Sequence, residues 1–190
     1  MSSKKGKRLV YVPDDIVKEA KMVSKGRGES LSLFISEVLR MALRANSLGY
    51  SPGTAAEFLE IMQAQRNLGG AFIPADVLIY LNSKACEAEV EQLEKRWYES
   101  GKWHGKYLNE KFEDPVQAFK KFLEATRWDL SEVEVRQNQN TVKFRCISTL
   151  LTGKATELLA KFIEGAMHSV GYQTDKSDTL KGMILLDFKR

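Results

Sequence analysis

Residues 7–17 read KRLVYVPDDIV. Lys7, Leu9 and Tyr11 alternate with Arg8, Val10 and Val12, the period-2 pattern of a β-strand. Pro13 ends the strand and suits the first position of a helix, where Asp14 and Asp15 complement the positive end of the helix dipole. No second strand follows nearby, and a lone strand leaves its N–H and C=O groups unpaired. Its partner has to come from elsewhere.

The next thirty residues narrow the choice. A helix is expected from about Pro13 to Lys25, with Ile16, Ala20 and Val23 on one face. The two glycines of "KGRGES" favour a turn. A second helix is expected from about Ser30, a good N-cap, to Ala45. Its stripe of Phe34, Ile35, Val38, Leu39, Ala42 and Leu43 is wider than one short helix can cover. Roughly 40 residues are fewer than usually fold alone. Two copies would resolve both difficulties, because their strands can zip antiparallel while the second helices bury each other. Val10 and Val12 would then face the core and Lys7, Leu9 and Tyr11 would face outward. A two-stranded ribbon of that kind fits the major groove of B-DNA.

Charge points the same way. Residues 1–46 hold ten basic and five acidic groups, a net +5, whereas the remaining 144 residues hold nineteen basic against twenty acidic groups. The excess suggests an anionic partner for the first quarter of the chain, although four of its basic residues belong to a solvated terminus.

With "KRLVYVP", "PDDIV", "GRG" and "SLSLFISEVLRMAL" in this order, residues 5–46 resemble the ribbon-helix-helix DNA-binding domains, the group of the Arc, MetJ and CopG repressors. The resemblance implies base-contacting roles for Lys7, Leu9 and Tyr11. It implies phosphate anchoring on the backbone of Ser30, Leu31 and Ser32, which helix-terminus electrostatics also favours. Lys4 and Lys5 would add sequence-independent phosphate contacts. Leu9 departs from the family pattern, since the middle reading position is usually polar; a leucine touches a thymine methyl but bonds no base. Packing against the second domain is the plainer expectation for Leu9 and Tyr11.

"NSLGYSPGT", residues 46–54, is a boundary. The expected organisation is a DNA-binding module over 1–46, a linker with a short helix over 47–69, and an α+β domain over 70–190. In the last, a long helix is expected from about Pro74 to Tyr98, and another in "EDPVQAFKKFLEATRW" with Asp114 as N-cap. "VEVRQNQNTVKFRC" reads as a β-hairpin, "TGKATELLAKFIEGAMHSVGY" as an amphipathic helix, and Tyr172–Thr174 and "GMILLDFK" as strands. This order argues for an antiparallel sheet covered by helices, and α+β for the chain as a whole.

"FIPADVLIYL", "DPVQAFKKFLEATRW" and "FIEGAMHSVGYQTDKSDTLKGMILLDF" are similar to the 4-vinyl-reductase-type sensor domain, in the superfamily shared with haem–nitric-oxide-binding and TRAPP-component folds. That resemblance implies a module for a small molecule or a partner. Two cysteines that often bind metal in the family correspond here to Asp178 and Leu186, so no metal and no cofactor is expected. An apolar pocket at the helix-covered edge of the sheet would be lined from "RWYESGKWHGKY": Trp97, Tyr98, Trp103, His104 and Tyr107. The plainer expectation is that these aromatics complete the core and cap a connecting loop.

No catalytic constellation is apparent. His104 and His168 are far apart, as are Cys86 and Cys146, and phosphate-loop, zinc and nucleophile-elbow motifs are missing. Glu87, Glu89, Glu91 and Glu94 read as the wet face of a helix. No signal peptide, membrane span or disulfide framework is apparent, so a cytoplasmic protein without membrane partners is expected. The reading is a sequence-specific transcription regulator, not an enzyme. It would act as a homodimer or higher even oligomer on double-stranded DNA, with a C-terminal domain for a small effector. One rival is an antitoxin whose C-terminal part binds a protein; the other is a ligand-handling enzyme whose N-terminal module only dimerises.

Overall fold

The computed structural model describes residues 9–70, 73–84 and 87–190. The chain is α+β, with seven helices and one four-stranded antiparallel sheet among the described residues. It divides into two compact units, one ending at Glu57 and the other running Phe58–Arg190. The division falls inside a helix, not in the glycine- and serine-rich stretch before it.

The first unit holds α1 (Asp14–Gly26) and α2 (Leu31–Ser47). A Schellman motif ends α1, with Glu29 N donating to Ser24 O and Gly28 N to Lys25 O. Gly28 has φ +69, a conformation that costs other residues strain. Ser30 caps α2 by accepting from Leu33 N at 3.2 Å. Residues 9–13 carry no regular secondary structure. Lys7 and Arg8 of the expected strand lie outside the described residues, and a single chain offers residues 9–12 no ladder. In the single chain Val10 and Val12 are exposed. Ser24 is the only buried residue of α1, and α2 has none. Leu33, Val38, Leu39, Met41 and Leu43 are all exposed.

α3 (Pro52–Asn67) leads into the second unit, which continues with α4 (Ala75–Lys84), α5 (Glu87–Lys111) and α6 (Pro115–Thr126). The expected helix over 74–98 is helical on both sides of residues 85–86, which lie outside the described residues, and it extends to Lys111. Residues 96–107 are therefore helix interior, and the connecting loop expected there is not present. Two glycines in that segment suggest a break, but they serve packing instead. A Cβ on Gly101 would stand 2.0 Å from Phe162 O, and one on Gly105 would stand 2.3 Å from Ala166 O. Bare backbone lets α5 lie directly on α7 (Gly153–Ser169). Pro115 opens α6 while Asp114 accepts from Val116 N and Gln117 N, both at 3.1 Å.

The sheet runs β1-β2-β4-β3, with β1 (Glu132–Gln137), β2 (Thr141–Ile147), β3 (Gln173–Leu180) and β4 (Met183–Lys189). Register pairs Val135 with Phe144 and Phe144 with Leu186, so Val142, Phe144, Cys146, Ile184, Leu186 and Phe188 share one buried face. α7 is buried almost all round against the sheet and α5. The outer face is charged, with Arg145–Glu132 at 2.8 Å and Lys143–Asp187 at 2.7 Å. β3 is longer than the expected Tyr172–Thr174. Its QTDKSDTL sequence is polar on both faces, as suits an edge strand and hides any alternation. No described helix is long and apolar enough to cross a membrane.

Candidate functional site

Each unit presents a candidate surface. In the first, Leu9 and Tyr11 are 83% and 93% exposed. Lys4, Lys5 and Lys7 lie outside the described residues. Ser30 and Ser32 are exposed at the start of α2, and Leu31 is half-buried. The first bond of that helix is Phe34 N to Ser30 O at 3.0 Å, so the N–H groups of Leu31 and Ser32 precede the intrahelical ladder. Glu29 puts a carboxylate just before this end, 3.9 Å from the Arg27 guanidinium, which in turn lies 5.5 Å from the Phe34 ring centre.

In the second unit a cleft of about 870 Å³ opens between α3, α4, α5, α6 and α7. Its walls include Leu78, Trp97, Phe122, Leu151, Ala155 and Phe162, and its polar groups include Gln65, Arg66, Ser100, His104, Arg127 and Asp129. Of the five aromatic candidates only Trp97 and His104 line it. Tyr107 lines a smaller cleft of about 540 Å³ and accepts from Asn67 Nδ2 at 3.1 Å. The Tyr98 hydroxyl lies 2.8 Å from His168 Nδ1. Trp103 is 65% exposed, with the Lys106 ammonium 5.3 Å from its ring centre. The five residues therefore form no single site. On a helix at about 100° per residue, Trp97 and His104 lie within about 20° of each other, whereas Tyr98 and Trp103, their sequence neighbours, are turned about 100° away. The contributions from α3, α6 and α7 come from distant sequence, and no local pattern links them.

His104 is the polar centre of the cleft. Its Nδ1 donates to Ser100 O at 2.8 Å, and its ring lies edge-on to Phe122 and Phe162, with centroids 5.1 and 4.9 Å away. Burial lowers its pKa against the opposing pull of the Ser100 bond, which favours the neutral ring. With the proton on Nδ1, Nε2 is an acceptor. The Gln65 amide is 3.4 Å from it, a long contact that bonds only when the amide presents its NH2 group. Beside it Arg127 clasps Asp129 through two bonds of 2.8 and 2.6 Å. Burial pushes the Asp129 carboxyl up, but the Arg127 hydrogen bonds and charge outweigh it, and the net shift is down.

The remaining reactive groups of the described residues are tied into structure, and Cys86 lies outside those residues. His168 bridges Tyr98 and, through Nε2 at 2.8 Å, Thr174 Oγ1. The Cys146 thiol is buried, and burial pushes its pKa up to about 12, so it is neutral and unreactive near pH 7. Asp178 is exposed on β3, and Leu186 is buried on the inner face of the sheet. Among the described residues no three His, Cys, Asp or Glu side chains are grouped to hold a metal ion.

Comparison with protein-family models finds no match, and no curated protein matches the chain either.

Proposed function

We propose that the protein is a homodimeric, sequence-specific DNA-binding regulator of the ribbon-helix-helix kind, with residues 58–190 as its effector domain. One observation carries the reading. The N-terminal unit leaves Val38, Leu39 and Leu43 of the α2 stripe and the strand-length segment 9–12 exposed, while its only buried helical residue is a serine. Such a unit has too little core to persist as a monomer. A second copy would cover the stripe and pair the segment at once, leaving Leu9 and Tyr11 for base edges. The excess positive charge of residues 1–46 supports a polyanion as the partner. The compact core of residues 58–190 speaks against the flexible tail expected of an antitoxin.

Selection of bound sequences from random double-stranded DNA tests the proposal. Paired, symmetric half-sites are expected, because a two-fold protein reads a two-fold operator. Recovery of unenriched DNA at low salt would overturn it.

A further inference from the structure

We infer that the cleft around His104 binds an uncharged, largely apolar organic molecule with one hydroxyl or N–H donor, and that His104 Nε2 accepts that donor. Its role as effector rests on the regulator reading above; the binding itself does not. The volume of about 870 Å³ falls in the range of small-molecule sites. Trp97, Phe122, Leu151 and Phe162 supply apolar walls, and His104 is itself more than nine-tenths buried.

The donor requirement follows from the ring. Nδ1 is committed to Ser100 O, so the neutral imidazole turns an acceptor toward the cleft. Among the described residues it meets the Gln65 amide at 3.4 Å, longer than the usual hydrogen bond. A ligand hydroxyl can approach to about 2.8 Å and satisfy it. Charge is disfavoured because Arg127 and Asp129 already neutralise each other, and Arg66 is exposed to solvent. An ion in the apolar part would lose its hydration without a partner. Gln65 and Met62 stand on α3, the helix through which the chain passes between the two units, so a ligand that orders them acts on that connection.

Calorimetric titration of the full chain with three matched two-ring compounds tests the inference. 2-Naphthol should saturate one site per chain, and 2-methoxynaphthalene, which lacks the donor, should bind about tenfold more weakly. 2-Naphthoate should bind more weakly still. His104→Phe should bring the first two within about twofold of each other. If that variant does not fold, the nitrogen-15 shift of wild-type His104 Nε2 should move with 2-naphthol and not with the methyl ether. Equal wild-type affinities for those two, tightest binding of the naphthoate, or no saturable binding would each overturn the site. Titrating a selected DNA fragment with and without saturating 2-naphthol should show at least a threefold change in affinity. Naphthol binding by a chain that binds no DNA would overturn the regulator reading alone. DNA binding by a chain that binds no naphthol would overturn the site alone.

Discussion

Truncating Leu39 measures how much the uncovered face of α2 contributes to association. Leu39 is 56% exposed in the single chain. Fully burying a leucine side chain is worth about 1.5–3 kcal/mol, so covering the exposed half would recover about 1–1.5 kcal/mol. A two-fold interface counts each residue twice, which makes Leu39→Ala cost about 2–3 kcal/mol per dimer, or roughly 30- to 150-fold in the dissociation constant. Glu37 lies about 160° around the helix from Leu39, so Glu37→Ala should leave the constant unchanged. Sedimentation equilibrium on the full chain over a wide concentration range reads both, and circular dichroism confirms that helix content is retained. A change below threefold for Leu39→Ala, with helices intact, would refute burial of this face between two copies.

Tyr11→Ala should weaken binding to a selected operator by about tenfold or more with the dimer intact; unchanged footprints would remove Tyr11 from base reading. Lys5→Ala should instead weaken all DNA sequences alike and reduce the salt slope by about one, as affinities across a salt series would show. Gly182 has φ +77, and a Cβ there would meet Ser148 O at 2.2 Å. Gly182→Ala should therefore lower the stability of the second unit by at least about 2 kcal/mol, read by denaturant melting. His104 has a folded-state pKa below its ordinary 6.5, so the unfolded chain binds its proton first and stability falls as pH drops through 6.5 toward the folded value. His168 is shifted the same way by burial, so His104→Phe should flatten the slope of melting temperature between pH 7.5 and 5 without abolishing it.

The parts of the fold legible in the sequence were those fixed by local physics. Asp114-Pro115 marks a helix start because a carboxylate can take two orphan N–H groups and proline needs none. Ser30 and the "GRG" turn mark the junction of α1 and α2 in the same way, and Val142, Phe144 and Cys146 alternate because one face of β2 is buried. β3 was almost invisible because an edge strand wet on both faces has no alternation to show. The extension of α5 to Lys111 was hidden by Gly101 and Gly105. Glycine lowers helix propensity by about 1 kcal/mol, yet only glycine admits another helix's backbone at 2–3 Å from where its Cβ would be.

Sites are harder to read than elements because convergence is a property of packing. "RWYESGKWHGKY" concentrates aromatics within twelve residues, but a helix distributes twelve consecutive side chains over its whole circumference. Proximity in sequence was therefore the wrong measure, and the seven-residue step from Trp97 to His104 was the right one. The remaining walls required knowing that α6 and α7 bring Phe122 and Phe162, themselves stacked with centroids 6.3 Å apart, edge-on against one imidazole. Those two rings exclude water from His104 and hold it neutral. The Nδ1 bond to Ser100, set four residues back along the same helix, then fixes which nitrogen is left to accept. A histidine that reads as isolated in the chain becomes a directed acceptor only through that combination of one local bond and two distant rings.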